Sequence, residues 1–342
     1  MAGQPAIKRV NLALQGGGAH GAFTWGVLDR LLQEPTLEID GVSATSAGAM
    51  NAVALASGLA SGGREGGRRT LRALWQAVGR SARHSPLQPS PFERFFGSAH
   101  KDWSPSFMAF DSLTRIFSPY QLNPMNYNPL REVLVETIDF AALRAPEAPL
   151  QLFLCATNVR SGKIRIFETG EITADTVLAS SCLPFLFQAV EIEGEAYWDG
   201  GYMGNPAIFP LIYHCESPDV VIVHINPLQR PEVPTTAAEI YNRINEISFN
   251  SSLMREMRAI EFVSRLIDED RIADDTMKRM RIHAIQDSSA MAELSVNSKL
   301  NADMAFLEEL HALGRARTEQ WLADCYGKVG QDSSVDLRAA YL

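Results

Sequence analysis

The stretch Ile39-Asp40-Gly41-Val42-Ser43-Ala44-Thr45-Ser46-Ala47-Gly48-Ala49-Met50-Asn51 decides how the chain is read. A short apolar run passes through Ile39 and Val42 into Ala44-Thr45-Ser46-Ala47-Gly48, and an Ala/Met/Val-rich helical pattern follows. Strand, tight turn with serine at the apex, helix is the layout of a nucleophile elbow. Such a turn leaves room only for small side chains beside the serine. Ser46 would then stand at a helix N-terminus, where free N–H groups favour a developing anion. A helix whose first turn merely happens to carry serine and glycine is the competing reading, and this stretch alone does not separate the two.

Upstream, Lys8 to Leu14 reads as a first strand, followed by Gln15-Gly16-Gly17-Gly18-Ala19-His20-Gly21. Phe23, Val27, Leu28, Leu31 and Leu32 then share one helical face. A glycine loop between strand and helix can aim successive N–H groups at one point and cradle an anion. Two anions compete. The spacing Gly16-x-Gly18-x-x-Gly21, with Glu38 and Asp40 following, satisfies a dinucleotide fingerprint. That motif wants its acid at the end of the second strand, whereas Asp40 stands near the start of the run leading to Ser46. If the loop serves Ser46, its anion is the oxyanion of an ester's tetrahedral intermediate.

Downstream, Glu191 to Asn205 (EIEGEAYWDGGYMGN) reads as a hairpin over Gly194 that delivers Trp198 into Asp199-Gly200-Gly201. The glycines permit a sharp turn and leave the Asp199 carboxylate projecting from a strand end. Taken alone, such a triplet is more often a plain surface turn.

The chain has 342 residues, 46% hydrophobic and 21% charged, with a net charge of −9. It is long enough to bury a large core. The acidic balance excludes a nucleic-acid partner and bulk adhesion to anionic lipid. Its four cysteines, Cys155, Cys182, Cys215 and Cys325, form no C-x-x-C pair and read as free thiols of a cytoplasmic protein. There is no secretory signal, no long apolar run and no H-E-x-x-H or other ligand cluster, so neither a membrane span nor a metal or other cofactor is expected.

Further elements follow in order. Gly58 to Gly67 reads as a glycine-rich loop, with Arg64, Arg68, Arg69 and Arg72 as a solvated basic edge or a lipid-headgroup contact. Residues 81–128 are rich in proline and phenylalanine and read as an irregular, lid-like insertion. Phe92, Phe95, Phe96, Trp103, Phe107, Met108 and Phe110 could line an acyl-chain channel, touch a membrane or lipid particle transiently, or pack on the protein itself. A helix over 128–137, strands over 150–157 and 163–167, and a short helix over 173–181 come next. Val220 to Ile225 is a β-branched buried strand. A helix over 235–267, a late strand over 279–285 and a helix over 301–326 capped by Asn301 follow, and 332–342 reads as a loose tail. This alternation predicts a parallel or mixed sheet covered on both faces.

Together, the G-G-G-x-x-G loop, the small-x-Ser-x-Gly elbow and the later Asp-Gly-Gly resemble the patatin-like phospholipase family. Leu183-Pro184-Phe185 and Gly204-Asn205-Pro206 resemble its bacterial members, and the likeness runs from about Val10 to Ile212. The resemblance implies an α/β three-layer sandwich with a mostly parallel central sheet between helical layers. It implies a catalytic domain over 1–226 and a mainly helical C-terminal extension over 227–342 packed on it. It makes Ser46 the nucleophile, Asp199 its partner, and Gly16, Gly17 and Gly18 the oxyanion loop. His20, Gly21, Ala44, Gly48, Gly200 and Gly201 support them. The implied reaction is hydrolysis of a lipid ester, of phospholipase A or lysophospholipase type. Two positions depart from the family: Ala44 stands where glycine is usual, and His20 where arginine is frequent. A Ser–His–Asp esterase using His20, His214, His224 or His283 is one alternative, and a non-catalytic nucleotide- or lipid-binding module built on Gly16–Gly21 is another.

Overall fold

The computed structural model describes residues 7–82, 113–114, 116–272 and 277–342. Residues 83–112 of the expected insertion, with the seven large apolar side chains named above, lie outside the described residues.

Strands β1 (Lys8–Leu14), β2 (Leu37–Ala44), β3 (Gln151–Asn158), β7 (Asp219–Val223) and β8 (Arg281–Ile285) form a parallel array in the order β3-β2-β1-β7-β8. Strands β4 (Ile164–Glu168), β5 (Val190–Ile192) and β6 (Glu195–Asp199) complete it as an antiparallel edge. The fold is therefore α/β with a mixed, largely parallel sheet.

The apolar runs of β1 and β7 are continuous because both faces are covered. Successive side chains on a strand point to opposite faces. Val10, Leu12, Leu14, Val221 and Val223 enter one core, while Ala13, Val220 and Ile222 enter the other. The first core is closed by α1 (Gly21–Leu31), α2 (Ala47–Ala82), α3 (Pro129–Thr137), α4 (Ala174–Ser180) and, from beyond β7, α7 (Met304–Asp324). The second is closed by α5 (Phe209–His214), α6 (Ala237–Asp268) and α8 (Leu337–Tyr341). Residues after 227 thus supply a sheet strand and helices on both faces.

Four local expectations change. The stretch Gly58 to Gly67 is helical except for a kink at Gly62 and Gly63. Its glycines serve a backbone contact instead: a Cβ on Gly58 or Gly66 would fall 2.5 or 2.2 Å from the other's carbonyl oxygen, so the two halves of α2 cross at zero side-chain thickness. Within the basic cluster, Arg64 donates to the Glu34 carbonyl (2.7 Å) in the connection after α1, and Arg68 pairs with buried Asp29 (2.8 Å) of α1, so these two are tied to the fold and are not a solvated edge. The residues from 332 are anchored, not loose. The Val335 N–H bonds the Ile282 carbonyl, and Tyr341 is buried with its hydroxyl 2.7 Å from His224 Nε2. Asp303, not Asn301, caps α7 by accepting from Ala305 N–H.

Candidate active site

The sheet register brings Ser46 and Asp199 together. Ala156 and Thr157 of β3 pair with both β4 and β6, and Phe153 and Leu154 pair with both β4 and β2. Hence β2 and β6 share one edge of β3, end to end. Ala44, the last residue of β2, lies opposite Leu154, and Asp199, the last of β6, lies opposite Ala156. Two residues along a strand is about 7 Å. The end of β6 therefore opens at the spot into which the turn after β2 carries Ser46.

Ser46 holds a left-handed backbone (φ 57°) between β2 and α2. A non-glycine residue there is strained, and such strain persists only where its surroundings fix it. The Ser46 N–H donates to Ser180 Oγ at 2.9 Å, and the Gly48 N–H closes the turn on the Thr45 carbonyl at 2.8 Å. Thr45 Oγ1 donates to the Gly204 carbonyl at 2.6 Å. Ser46 is buried but not sealed, at 8% exposure. Ala44 belongs to the strand proper and has no positive φ, so its buried methyl replaces glycine without strain. Gly48 packs on the Leu14 carbonyl and Gly21 on the Ala47 methyl, seating α2 against the end of β1.

Asp199 is fully buried. Its Oδ1 accepts the Gly201 N–H at 2.7 Å, while Gly200 rests on the Cys155 carbonyl. Its Oδ2 has no partner of strict hydrogen-bond geometry among the described residues. The Ser46 side chain stands close enough for its hydroxyl to favour the ionised form of this carboxyl. Burial pushes Asp199 up to about 6; the Gly201 N–H, the Ser46 hydroxyl and the Lys299 charge pull the other way.

The glycine loop abuts the elbow: a Cβ on Gly16 would lie 2.6 Å from Ser46 Cβ. The three glycines are not equivalent. The Gly16 N–H donates to Asn205 Oδ1 at 2.7 Å and is thereby removed from the expected donor set. The N–H groups of Gly17, Gly18 and Ala47 have no acceptor among the described residues. His20 does not replace a cation. It is buried, its Nε2 sits 2.7 Å from Ser298 Oγ, and burial together with the nearby Lys299 lowers its pKa to about 3, leaving it neutral.

The histidine alternatives are engaged elsewhere. His224 meets Tyr341, His283 lies 3.0 Å from both Asp219 Oδ1 and Ser334 Oγ, and His214 stacks on Phe153. None of the four hydrogen-bonds Ser46. The dinucleotide reading fails in register: Asp40 lies inside β2 and accepts the Glu216 and Ser217 N–H groups at 2.8 and 2.9 Å, away from the glycine loop. Among the described residues, no three His, Cys, Asp or Glu side chains converge as metal ligands.

Four supporting residues escape a sequence reading. Ser180 holds the elbow, Asn205 holds Gly16, and Asn226 Nδ2 donates to the Gly16 carbonyl at 2.8 Å. Lys299 lies against the loop from the turn Asn297–Leu300. Only Asn205 carried a signal, as part of Gly204-Asn205-Pro206.

Comparison with known proteins gives a family match over residues 12–212 to the model described as patatin-like phospholipase. Among curated proteins none matches the chain. Among solved structures, the crystal structure of VipD from Legionella pneumophila aligns at 14% identity, covering 92% of this chain and 72% of that one, with a TM-score of 0.38. That likeness carries no argument about chemistry. The family match spans more than half of the sequence and contains the elbow, the glycine loop and Asp199. The chain belongs to the patatin-like phospholipase family, whose members are hydrolases of lipid acyl esters.

Proposed function

We propose that the protein is a serine acyl hydrolase of the phospholipase A or lysophospholipase type, working through a Ser46–Asp199 dyad. The observation that carries this reading is the juxtaposition of a strained serine at a strand–helix elbow with a buried carboxyl whose Oδ2 is otherwise unpartnered. A carboxylate at its ordinary pKa of about 4 is a weak base for a hydroxyl. Burial of Asp199 strengthens it, and transfer concerted with attack avoids a free alkoxide. Ser46 Oγ attacks the ester carbonyl as its proton passes to Asp199. The N–H groups of Gly17, Gly18 and Ala47 hold the oxyanion, each donor contributing about 3–4 kcal/mol by analogy with other acyl-transfer sites. Asp199 then protonates the leaving alcohol, and a water activated by the same carboxylate releases the acyl group from Ser46.

A lipid substrate is supported by the apolar surface beside the site. Tyr202 and Met203 directly follow the Asp-Gly-Gly turn and are exposed, as is Phe185. Ile240, Ile244 and Ile247 expose one stripe of α6. Among the described residues no helix is long and apolar enough to cross a membrane, so contact with lipid would be peripheral. The free thiols fit a reducing, cytoplasmic compartment.

Mass-spectrometric profiling of a lipid extract incubated with wild type and with Ser46→Ala tests the proposal. Free fatty acid and a matching lysolipid or alcohol should accumulate only with wild type. Equal release by the Ser46→Ala protein would refute it.

A further inference from the structure

The family match ends at residue 212, yet the glycine loop is held from outside it. Lys299 sits on the turn Asn297–Leu300, and its backbone is pressed on the loop: a Cβ on Gly18 would fall 2.3 Å from the Lys299 carbonyl oxygen. Its ammonium donates to Asn226 Oδ1 (2.9 Å) and Asn245 Oδ1 (3.0 Å). Both acceptors are neutral amides, so they satisfy the ammonium's donors without cancelling its charge. Two routes lead from this cation to the site. Asn226, gripped by Lys299 through Oδ1, donates through Nδ2 to the Gly16 carbonyl at 2.8 Å. The ammonium also lies over the Phe249 ring, 5.4 Å from its centroid, and that ring closes on Gly201, whose N–H bonds Asp199.

We propose that Lys299 is a positioning residue for the Ser46–Asp199 pair, a cation brought by the segment beyond the family match that fixes the glycine loop and, through Phe249, the turn that holds Asp199. The inference rests on the Ser–Asp reading above. The charged and titratable groups around the ammonium come from several elements. Asp199 lies at the end of β6 with Tyr202 just beyond it, and Glu246 lies on α6. His20 in the glycine loop is neutral and bonded to Ser298. Glu246 is already paired with Arg230 and Arg243 at 2.6 and 3.2 Å, whereas the Asp199 carboxylate meets no arginine or lysine in an ion pair among the described residues. Among the described residues, Lys299 is the cation whose charge bears on Asp199. Burial pushes Lys299 down to about 8, against the pull of Glu246 and Asp199, so it is charged while Asp199 is ionised near neutrality.

The experiment measures pH profiles of kcat/KM on p-nitrophenyl butyrate for wild type, Lys299→Met, Lys299→Arg, Asn245→Asp and Ser46→Ala, with thermal melts of each. Lys299→Met keeps the stem and removes the charge. It should lower kcat roughly tenfold or more with little change in KM, since a displaced loop and base are felt at the transition state. Its acid limb should move to higher pH by about half a unit or more, because Asp199 loses a nearby cation. Lys299→Arg should return the limb toward wild type. Should Lys299→Met fail to fold, Asn245→Asp decides: a carboxylate against the ammonium should shift the acid limb upward with the lysine still present. A wild-type limb in Asn245→Asp, or in a folded Lys299→Met, overturns the inference. Turnover by Ser46→Ala would instead overturn the dyad reading on which it rests.

Discussion

Replacing Gly16 by alanine tests how closely the glycine loop is fitted to the elbow. The added methyl would lie 2.6 Å from Ser46 Cβ, 2.9 Å from the Thr45 carbonyl oxygen and 3.3 Å from Asn205 Oδ1. Carbon atoms in contact prefer about 3.5–4.0 Å, so close to 1 Å of movement is required. Neither near neighbour can give way cheaply. Ser46 is held at φ 57° by the Ser180 hydroxyl, and the Thr45 carbonyl accepts the Gly48 N–H. The loop must move instead, and its tie from Gly16 N–H to Asn205 is lost or stretched. Overpacking of this kind costs about 1–3 kcal/mol of stability. A 1 Å displacement of oxyanion donors from the reacting carbonyl costs roughly 10²-fold in rate. The expectation is a Gly16→Ala protein that melts a few degrees lower and turns over p-nitrophenyl butyrate about a hundredfold more slowly, chiefly in kcat. A variant within threefold of wild type in kcat, with an unchanged melt, would refute the argument.

Other consequences are open to measurement. Because burial raises Asp199 from 3.8 to about 6, the base form disappears below that pH, and kcat/KM should fall about tenfold per pH unit on the acid side. A carboxyl whose folded pKa is raised gives stability that is full below the unfolded value and lost as pH rises through the folded one. Asp199→Asn should therefore be inactive yet more stable at neutral pH, by up to about 3 kcal/mol, with the gain vanishing below about pH 4; denaturant melts at both pH values check this. Ser180→Ala leaves the Ser46 N–H without its acceptor and should cost about 1–2 kcal/mol together with a clear loss of kcat, read from the same melts and assays. At Asp29, burial raises the pKa but is outweighed by His311 Nε2 3.4 Å away, by the Arg68 hydrogen bond and by the charges of Arg68 and Arg315, so the carboxyl ionises well below the usual range. Its stabilisation is present above the ordinary carboxylate pKa and lost in acid; Asp29→Ala should cost about 1–3 kcal/mol at neutral pH, discounted because both arginines are partly exposed.

The parts of the site that were legible in the sequence are those encoded over short distances. The elbow is written in five consecutive residues, and Asp-Gly-Gly in three, because tight turns dictate small neighbours whatever surrounds them. The β-branched run of β7 and the period of α1 likewise follow from local pattern. What escaped depends on partners far along the chain. The N–H of Gly16 is captured by Asn205, 189 positions away, so a loop of three glycines does not reveal which of its donors stay free. Ala44 could be accepted as a replacement for glycine only once its backbone proved to belong to β2. His20 stands where the family often carries arginine; packing turns it to Ser298 and burial keeps it neutral. Gly58 to Gly67 has the composition of a loop, and the same composition serves a glycine-to-glycine helix crossing. Lys299 had no local signal at all: a lysine in a polar stretch becomes informative only when the fold sets it against Gly18.

The measurement that addresses the central claim most directly is the site of covalent capture by a fluorophosphonate, which phosphonylates an activated serine. Intact-mass and peptide analysis should place one adduct on Ser46, in step with loss of ester hydrolysis. Asp199→Asn should slow the capture by orders of magnitude while the protein stays folded. Full hydrolysis after Ser46 has been occupied, or labelling of Asp199→Asn at the wild-type rate, would contradict the account.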